Sequence, residues 1–172
     1  QVPHSRMILK SAALSHEHTK ERVLGAFAER GIGRERVELR PWLDERAQHL
    51  QAYSDIDVAL DTFPYNGTTT TCEALWMGVP VVTLCGELHM ARVGASVLAA
   101  VGLEELIAAS ADDYVAAAVS LARDGSRRRH LRAGMRARLE RSRLLDAARY
   151  TRDYEGALRS AWNDWCAAQA AV

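Results

Sequence analysis

"IDVALDTFPYNGTTTTCEALWMGVPVVTLC", residues 56–85, holds an apolar run, a turn, a helical pattern and a second apolar run. The first run, 56–61, reads as a strand buried on both faces. Asn66-Gly67 supplies a tight turn with a positive φ available at the glycine. A helix opens at the threonines and stops at Gly78, and "PVVTLC", 80–85, is the next strand. Two strands joined by one helix in so short a span run parallel, with a right-handed crossover between them.

The same alternation extends outward in both directions. "RMILK" (6–10) reads as a strand, and "HTKERVLGAFAERG" (18–31) as an amphipathic helix closed by Gly31. "RVELRPW" (36–42) is a strand ended by Pro41, and "DERAQHLQAYSD" (44–55) is a helix. Downstream, "HMARVGASVLAAVG" (89–102) is a helix with a glycine stop and "LEELIA" (103–108) a short strand. Three helical stretches, 111–124, 126–142 and 146–170, complete the chain. The fold class is therefore α/β: a Rossmann-like three-layer α/β/α sandwich with a parallel sheet. The whole of 1–172 reads as one domain, its C-terminal helices covering about 126–170.

Composition narrows the function. Lys+Arg and Asp+Glu are both 22, so no global field draws in nucleic acid or an anionic membrane. The many alanines, with Lys10 and Lys20 as the only lysines, suggest a GC-rich bacterial genome. No apolar stretch approaches the ~20 residues of a membrane span. The opening "QVPHSRMILK" lacks the apolar core of a signal peptide, and its abrupt start suggests a segment of something longer. Cys72, Cys85 and Cys166 have no metal-like spacing and read as reduced thiols of a cytoplasmic protein.

Two stretches invite chemistry that their context disfavours. "SRRRHLRAGMRARLERSR" (126–143) is rich in arginine, but Leu131, Met135 and Leu139 form a core stripe beneath a solvated basic face. No aromatic residue sits among those arginines to stack on a base. Asp55 and Asp57 form an Asp-x-Asp pair of the kind that holds a divalent metal, yet they stand at the start of a strand. Ligands of open α/β sheets bind at the carboxyl ends, so no metal site is expected.

The threonine turn lies at such a carboxyl end. The N-terminus of the following helix presents unpaired N–H groups and partial positive charge, which suits a phosphate. Thr69 and Thr70 add hydroxyl donors, while one threonine of the four is enough for a cap. Glu73, one turn later, disfavours phosphate but can accept hydrogen bonds from ribose hydroxyls. Phosphate donors followed by an acid describe a nucleoside-diphosphate site. No G-x-G-x-x-G follows any strand, which argues against a dinucleotide oxidoreductase.

"DVALDTFPYNGTTTTCEALWMGVPVVTL" followed by "GELHMARVGASVLAAVGLEELIA" resembles the carboxyl-terminal lobe of the family 41 glycosyltransferases. That family holds the O-linked N-acetylglucosamine transferases and the SPINDLY protein fucosyltransferases. The resemblance is strongest over 36–124 and continues more loosely to "YEGALRSAWNDWC". It implies the second lobe of a two-lobed glycosyltransferase B fold, which holds most of the sugar nucleotide. By position, Thr69 and Thr70 resemble diphosphate contacts, Glu73 the ribose-binding acid and His49 a histidine close to the base. Arg46 stands where the N-acetylglucosamine transferases have a lysine beside the base, and Ala52 where an arginine would stand. Thr68, beside Gly67, replaces a histidine of the animal enzymes, and the four-threonine run with Glu73 is more similar to SPINDLY. Gly86, His89 and Arg92 align with the next ligand-side loop, where they either approach the donor sugar or cap the loop.

What the resemblance implies for function is the donor-binding half of an inverting, metal-independent protein O-glycosyltransferase. It uses UDP-N-acetylglucosamine or, in the SPINDLY-like alternative, GDP-fucose, and needs no cofactor. A non-catalytic nucleotide-binding or scaffold module is the reading from another class. The implied partners are a protein or peptide acceptor, an N-terminal lobe carrying the catalytic histidine, and tetratricopeptide repeats. Neither that histidine, nor the family's phosphate-binding lysine, nor the central first strand of the lobe matches anything in this chain. The chain alone is expected to be inactive.

Overall fold

A computed structural model describes residues 1–170. Its elements follow the alternation of apolar runs. In chain order they begin with β1 (Met7–Lys10), α1 (Glu17–Ala28), β2 (Val37–Arg40), α2 (Arg46–Gln51), β3 (Ala59–Leu60) and α3 (Thr69–Trp76). They continue with β4 (Val81–Leu84), α4 (Val93–Ala100), β5 (Ile107–Ala108), α5 (Ala111–Arg123), α6 (Gly125–Glu140) and α7 (Ala147–Ala170).

All strand pairs are parallel, but the strands fall into two sheets. β1 lies on β2 with Met7 opposite Val37 and Lys10 opposite Arg40. The second sheet has the order β3-β4-β5, with Ala59 opposite Val81 and Thr83 opposite Ile107. Among the described residues, β1 and β3 each pair on one side only. Among the described residues no ladder joins the two sheets. The unpaired edge also explains why β3 is two residues long rather than spanning 56–61. Only the backbone facing β4 keeps its ladder, through Ala59 N–H to Pro80 O and Asp61 N–H to Val82 O, both 2.9 Å.

The core centres on β4. Val81, Val82 and Thr83 point alternately to opposite faces, and all three are buried. Both faces of that strand are therefore covered, with α4 and α5 packed on it, which makes the three layers. Leu75, Leu98, Leu103, Leu106 and Leu121 fill the space around it. Gly78 ends α3 at φ +81°, and a Cβ there would lie 3.0 Å from the Arg132 carbonyl oxygen of α6. The stop and the close approach both require glycine.

Helix α6 buries Leu131, Met135 and Leu139 as its stripe predicts, but its arginines are not simply solvated. Arg128 donates to the Leu121 carbonyl at 2.7 Å at the end of α5. Arg136 donates to the Trp76 carbonyl at 3.4 Å at the end of α3. Arg138 donates to the Val101 and Gly102 carbonyls beyond α4, and Arg132 to the Ile56 carbonyl before β3. Helix ends leave carbonyls without intrahelical donors and carry partial negative charge, so guanidinium groups satisfy both needs. Helix α7 differs: Tyr154, Leu158, Trp162 and Trp165 are 54%, 55%, 61% and 55% exposed, and no described element covers their stripe. No described helix is long and apolar enough to cross a membrane.

Candidate functional site

The carboxyl ends of β1, β3 and β4 and the N-terminus of α3 converge on one edge of the molecule. Thr68 is the N-cap of α3, with φ −112° and ψ −74°, yet its side chain makes no capping hydrogen bond. Thr69 and Thr70 follow it, exposed, in the first turn. The expectation that one threonine caps is corrected by Thr71, which is 3% exposed and donates its hydroxyl to the Gly67 carbonyl at 3.0 Å. That bond ties the turn to the helix and leaves the first-turn amides free of internal acceptors among the described residues.

Gly67 does not adopt the positive φ that the Asn-Gly pair suggested. The reason for glycine is space. A Cβ there would lie 2.5 Å from Thr70 Oγ1 and 2.9 Å from Thr71 Oγ1. Its amide is held by Asp61, whose Oδ1 accepts it at 2.7 Å. Asp61 Oδ2 accepts the Thr83 hydroxyl at 2.7 Å, and the Asp61 carbonyl accepts the Tyr114 hydroxyl at 2.8 Å. Burial and the Asp61 charge push the Tyr114 phenol up to about 12.

Asn66, 1% exposed, links this turn to the following loop. Its amide donates to the Met90 carbonyl at 2.9 Å, and its Oδ1 accepts the Gly94 amide at 3.2 Å. Gly94 is pressed so close that a Cβ would fall 2.2 Å from Asp61 Oδ2. A Cβ on Gly86 would lie 3.1 Å from the Phe63 ring. Two ligand-side loops are thus braced as one body. Arg92 belongs to that brace, since its guanidinium donates to the Gly86 carbonyl at 3.1 Å. His89 stands exposed in the 3-10 turn between them.

His49 and Glu73, 24 residues apart, meet at 2.9 Å through Nε2 and Oε2. The histidine is 7% exposed, packed against Trp42 with ring centroids 5.2 Å apart and against Tyr53 at 6.0 Å. Tyr53 donates its hydroxyl to the same Glu73 oxygen at 3.4 Å. Burial, then the nearby Glu73 charge, raises the Tyr53 phenol well above its ordinary value. The same two causes raise the Cys72 thiol. Lys10, the last residue of β1, sits 2.7 Å from His49 Nδ1. Burial lowers the Lys10 ammonium from its usual range, offset in part by Glu73 and reinforced by Arg40. Arg46 opens α2 one turn before His49 but is exposed and outside this network.

The sequence names Thr69, Thr70, Glu73 and His49 as candidates; the structure joins Lys10 and Tyr53 to His49 and Glu73, and Asp61 and Asn66 to the turn before α3, none of which the sequence reading named as a site residue. Lys10 and Asp61 were findable, since both stand where a strand delivers its carboxyl end. Tyr53 lies four residues after His49, on the same side of the α2 segment. Asp55 and Asp57 lie before β3 and are engaged by arginines: Asp55 by Arg40 at 2.8 Å and Asp57 by Arg128 at 3.8 Å.

The model of "Glycosyl transferase family 41" matches residues 1–154. The probable UDP-N-acetylglucosamine–peptide N-acetylglucosaminyltransferase SPINDLY of Solanum lycopersicum is 44% identical over 165 residues, 96% of this chain and 18% of that protein. The UDP-N-acetylglucosamine–peptide N-acetylglucosaminyltransferase of Caenorhabditis elegans is 33% identical over 83% of this chain and 12% of that protein. An O-GlcNAc transferase mutant from Thermobaculum terrenum superposes with a TM-score of 0.87 at 40% identity, covering 99% of this chain and 32% of that one. The chain thus spans 18% of the tomato relative's length. With the family's model running from the first strand into α7, and the fold shared with a solved relative, this chain belongs to glycosyl transferase family 41.

Proposed function

We propose that the chain is the donor-binding half of a protein O-glycosyltransferase that moves N-acetylglucosamine from UDP-N-acetylglucosamine to Ser or Thr. The open N-terminus of α3 carries this reading. Its free amides, with the exposed hydroxyls of Thr69 and Thr70, offer a diphosphate several donors at the positive end of a helix. Glu73 lies one turn further in, with Oε2 bonded to His49, so Oε1 is the oxygen left for ribose hydroxyls.

In that role the acceptor hydroxyl attacks the anomeric carbon, and the bond to the diphosphate oxygen breaks with inversion. The α3 amides and hydroxyls stabilise the charge that develops on the leaving diphosphate, without a metal. The base that takes the acceptor proton belongs to an N-terminal lobe outside this chain. Acceptor proteins would be recruited by tetratricopeptide repeats of the same polypeptide, in the cytoplasm.

A SPINDLY-like reading, fucose transfer from GDP-fucose, has one observation in its favour. The four-threonine turn with Glu73 is the variant that resembles SPINDLY, and Thr68 stands where the animal transferases have histidine. Titration calorimetry of the full-length protein with UDP and GDP separates the two readings. Tighter binding of UDP supports the first, tighter binding of GDP the second, and binding of neither overturns both.

A further inference from the structure

Lys10 plays no part in the donor contacts proposed above, yet its ammonium ends β1 within 2.7 Å of His49 Nδ1. It sits between two rings, its Nζ 5.6 Å from the Trp42 centroid and 6.0 Å from that of Tyr53. An ammonium has three protons to donate and no lone pair to offer, so Nδ1 must be the acceptor. The imidazole proton is then on Nε2, which points at Glu73 Oε2 across 2.9 Å. Each group in the series Lys10, His49, Glu73 is therefore fixed by the one before it.

We propose that Lys10 is a positioning residue of the donor site, holding His49 as the Nε2–H tautomer so that His49 clamps one oxygen of Glu73 and leaves the other for the ligand. The part of this concerning the ligand rests on the donor-site reading. The clamp itself rests on geometry alone. It also joins the two sheets, because Lys10 belongs to the β1-β2 pair and Glu73 to the helix that follows β3. Without Lys10, the tautomer is selected by Glu73 alone and Nδ1 loses the donor that bars a proton from it; wherever the Nδ1–H form is populated it has no proton on Nε2 to give to Glu73. The carboxylate would then face a lone pair, and its rotamer would be released from one side.

Full-length protein labelled with 13C and 15N in histidine tests the proposal by NMR, with a His49→Gln sample assigning the resonance. In the wild type, His49 should show the shifts of the Nε2–H tautomer alone. Lys10→Met should shift them toward the average of the two tautomers and weaken UDP or GDP binding by roughly five- to tenfold. Lys10→Arg, which keeps the charge and the donors, should retain the Nε2–H signature and most of the affinity. A Lys10→Met protein whose His49 remains wholly Nε2–H overturns the clamp, as does a Lys10→Arg protein that loses it. A wild type that binds neither nucleotide sinks the donor reading, and the tautomer shifts still decide the clamp.

Discussion

Thr83, wholly buried in the middle of β4, donates its hydroxyl to Asp61 Oδ2 at 2.7 Å, while the other oxygen of that carboxylate holds the Gly67 amide at 2.7 Å. The core strand thus aims the turn that precedes α3. Thr83→Val removes the donor and leaves a half-buried carboxylate oxygen without it, a loss of ~1–3 kcal/mol. Urea unfolding should show this as a lower midpoint with an unchanged slope. A midpoint equal to that of the wild type would mean that the strand does not brace the turn.

The four threonines should divide into two classes. Thr69→Ala and Thr70→Ala, both at exposed positions, are expected to weaken UDP or GDP binding by ~1–2 kcal/mol each while leaving stability within experimental error. Thr71→Ala removes the bond to the Gly67 carbonyl and should cost ~1 kcal/mol of stability. Calorimetry and thermal melts on the same three proteins check the division. Unchanged affinity in both exposed mutants would sink the diphosphate assignment.

Tyr114 supplies a pH dependence with a definite sign. Its phenol is raised to about 12 in the fold, from an ordinary ~10 in the unfolded chain. The folded state therefore retains a proton that the unfolded chain gives up, and the contribution is complete below pH ~10. It is lost as the pH rises from there through about 12. Melting temperatures measured between pH 8 and 11.5 (~0.5-unit steps) should fall more steeply for the wild type than for Tyr114→Phe at the alkaline end. Parallel curves would show that burial and the Asp61 charge do not keep the phenol protonated in the fold.

If the α3 terminus alone neutralises the diphosphate, turnover of the full-length enzyme should survive EDTA. Asp55→Asn should leave turnover nearly intact, since Asp55 is spent on Arg40 rather than on a ligand. Activity that disappears with chelator and returns with manganese would restore a metal to the mechanism.

Much of the fold was legible because hydrophobic period and punctuation agree. The runs 80–85 and 6–10 are strands, and Gly31, Gly78 and Gly102 all take the positive φ of a helix stop. Legibility failed where the decisive contact is distant in sequence. Asn-Gly pointed to a left-handed turn, but crowding from Thr70 and Thr71 decides Gly67. The arginines of 126–143 looked solvated because the carbonyls they reach lie up to 76 residues away. Thr69, Thr70 and Glu73 could be named as candidates because a helix N-terminus is a local object. The pairing of Lys10 with His49 spans 39 residues, and no local pattern records it.

The arginines of α6 bear on synthesis as well as on packing. Arg128, Arg136 and Arg138 finish the ends of α5, α3 and α4, while Leu131, Met135 and Leu139 close the core beside them. A chain leaving the ribosome N-terminus first exposes three unfinished helices and an open apolar face until Glu140 has emerged. Nascent chains released before that residue should be cleared by proteases, and released chains that include it should resist them. Helix α6, translated after the helices it completes, is the latch that makes them durable.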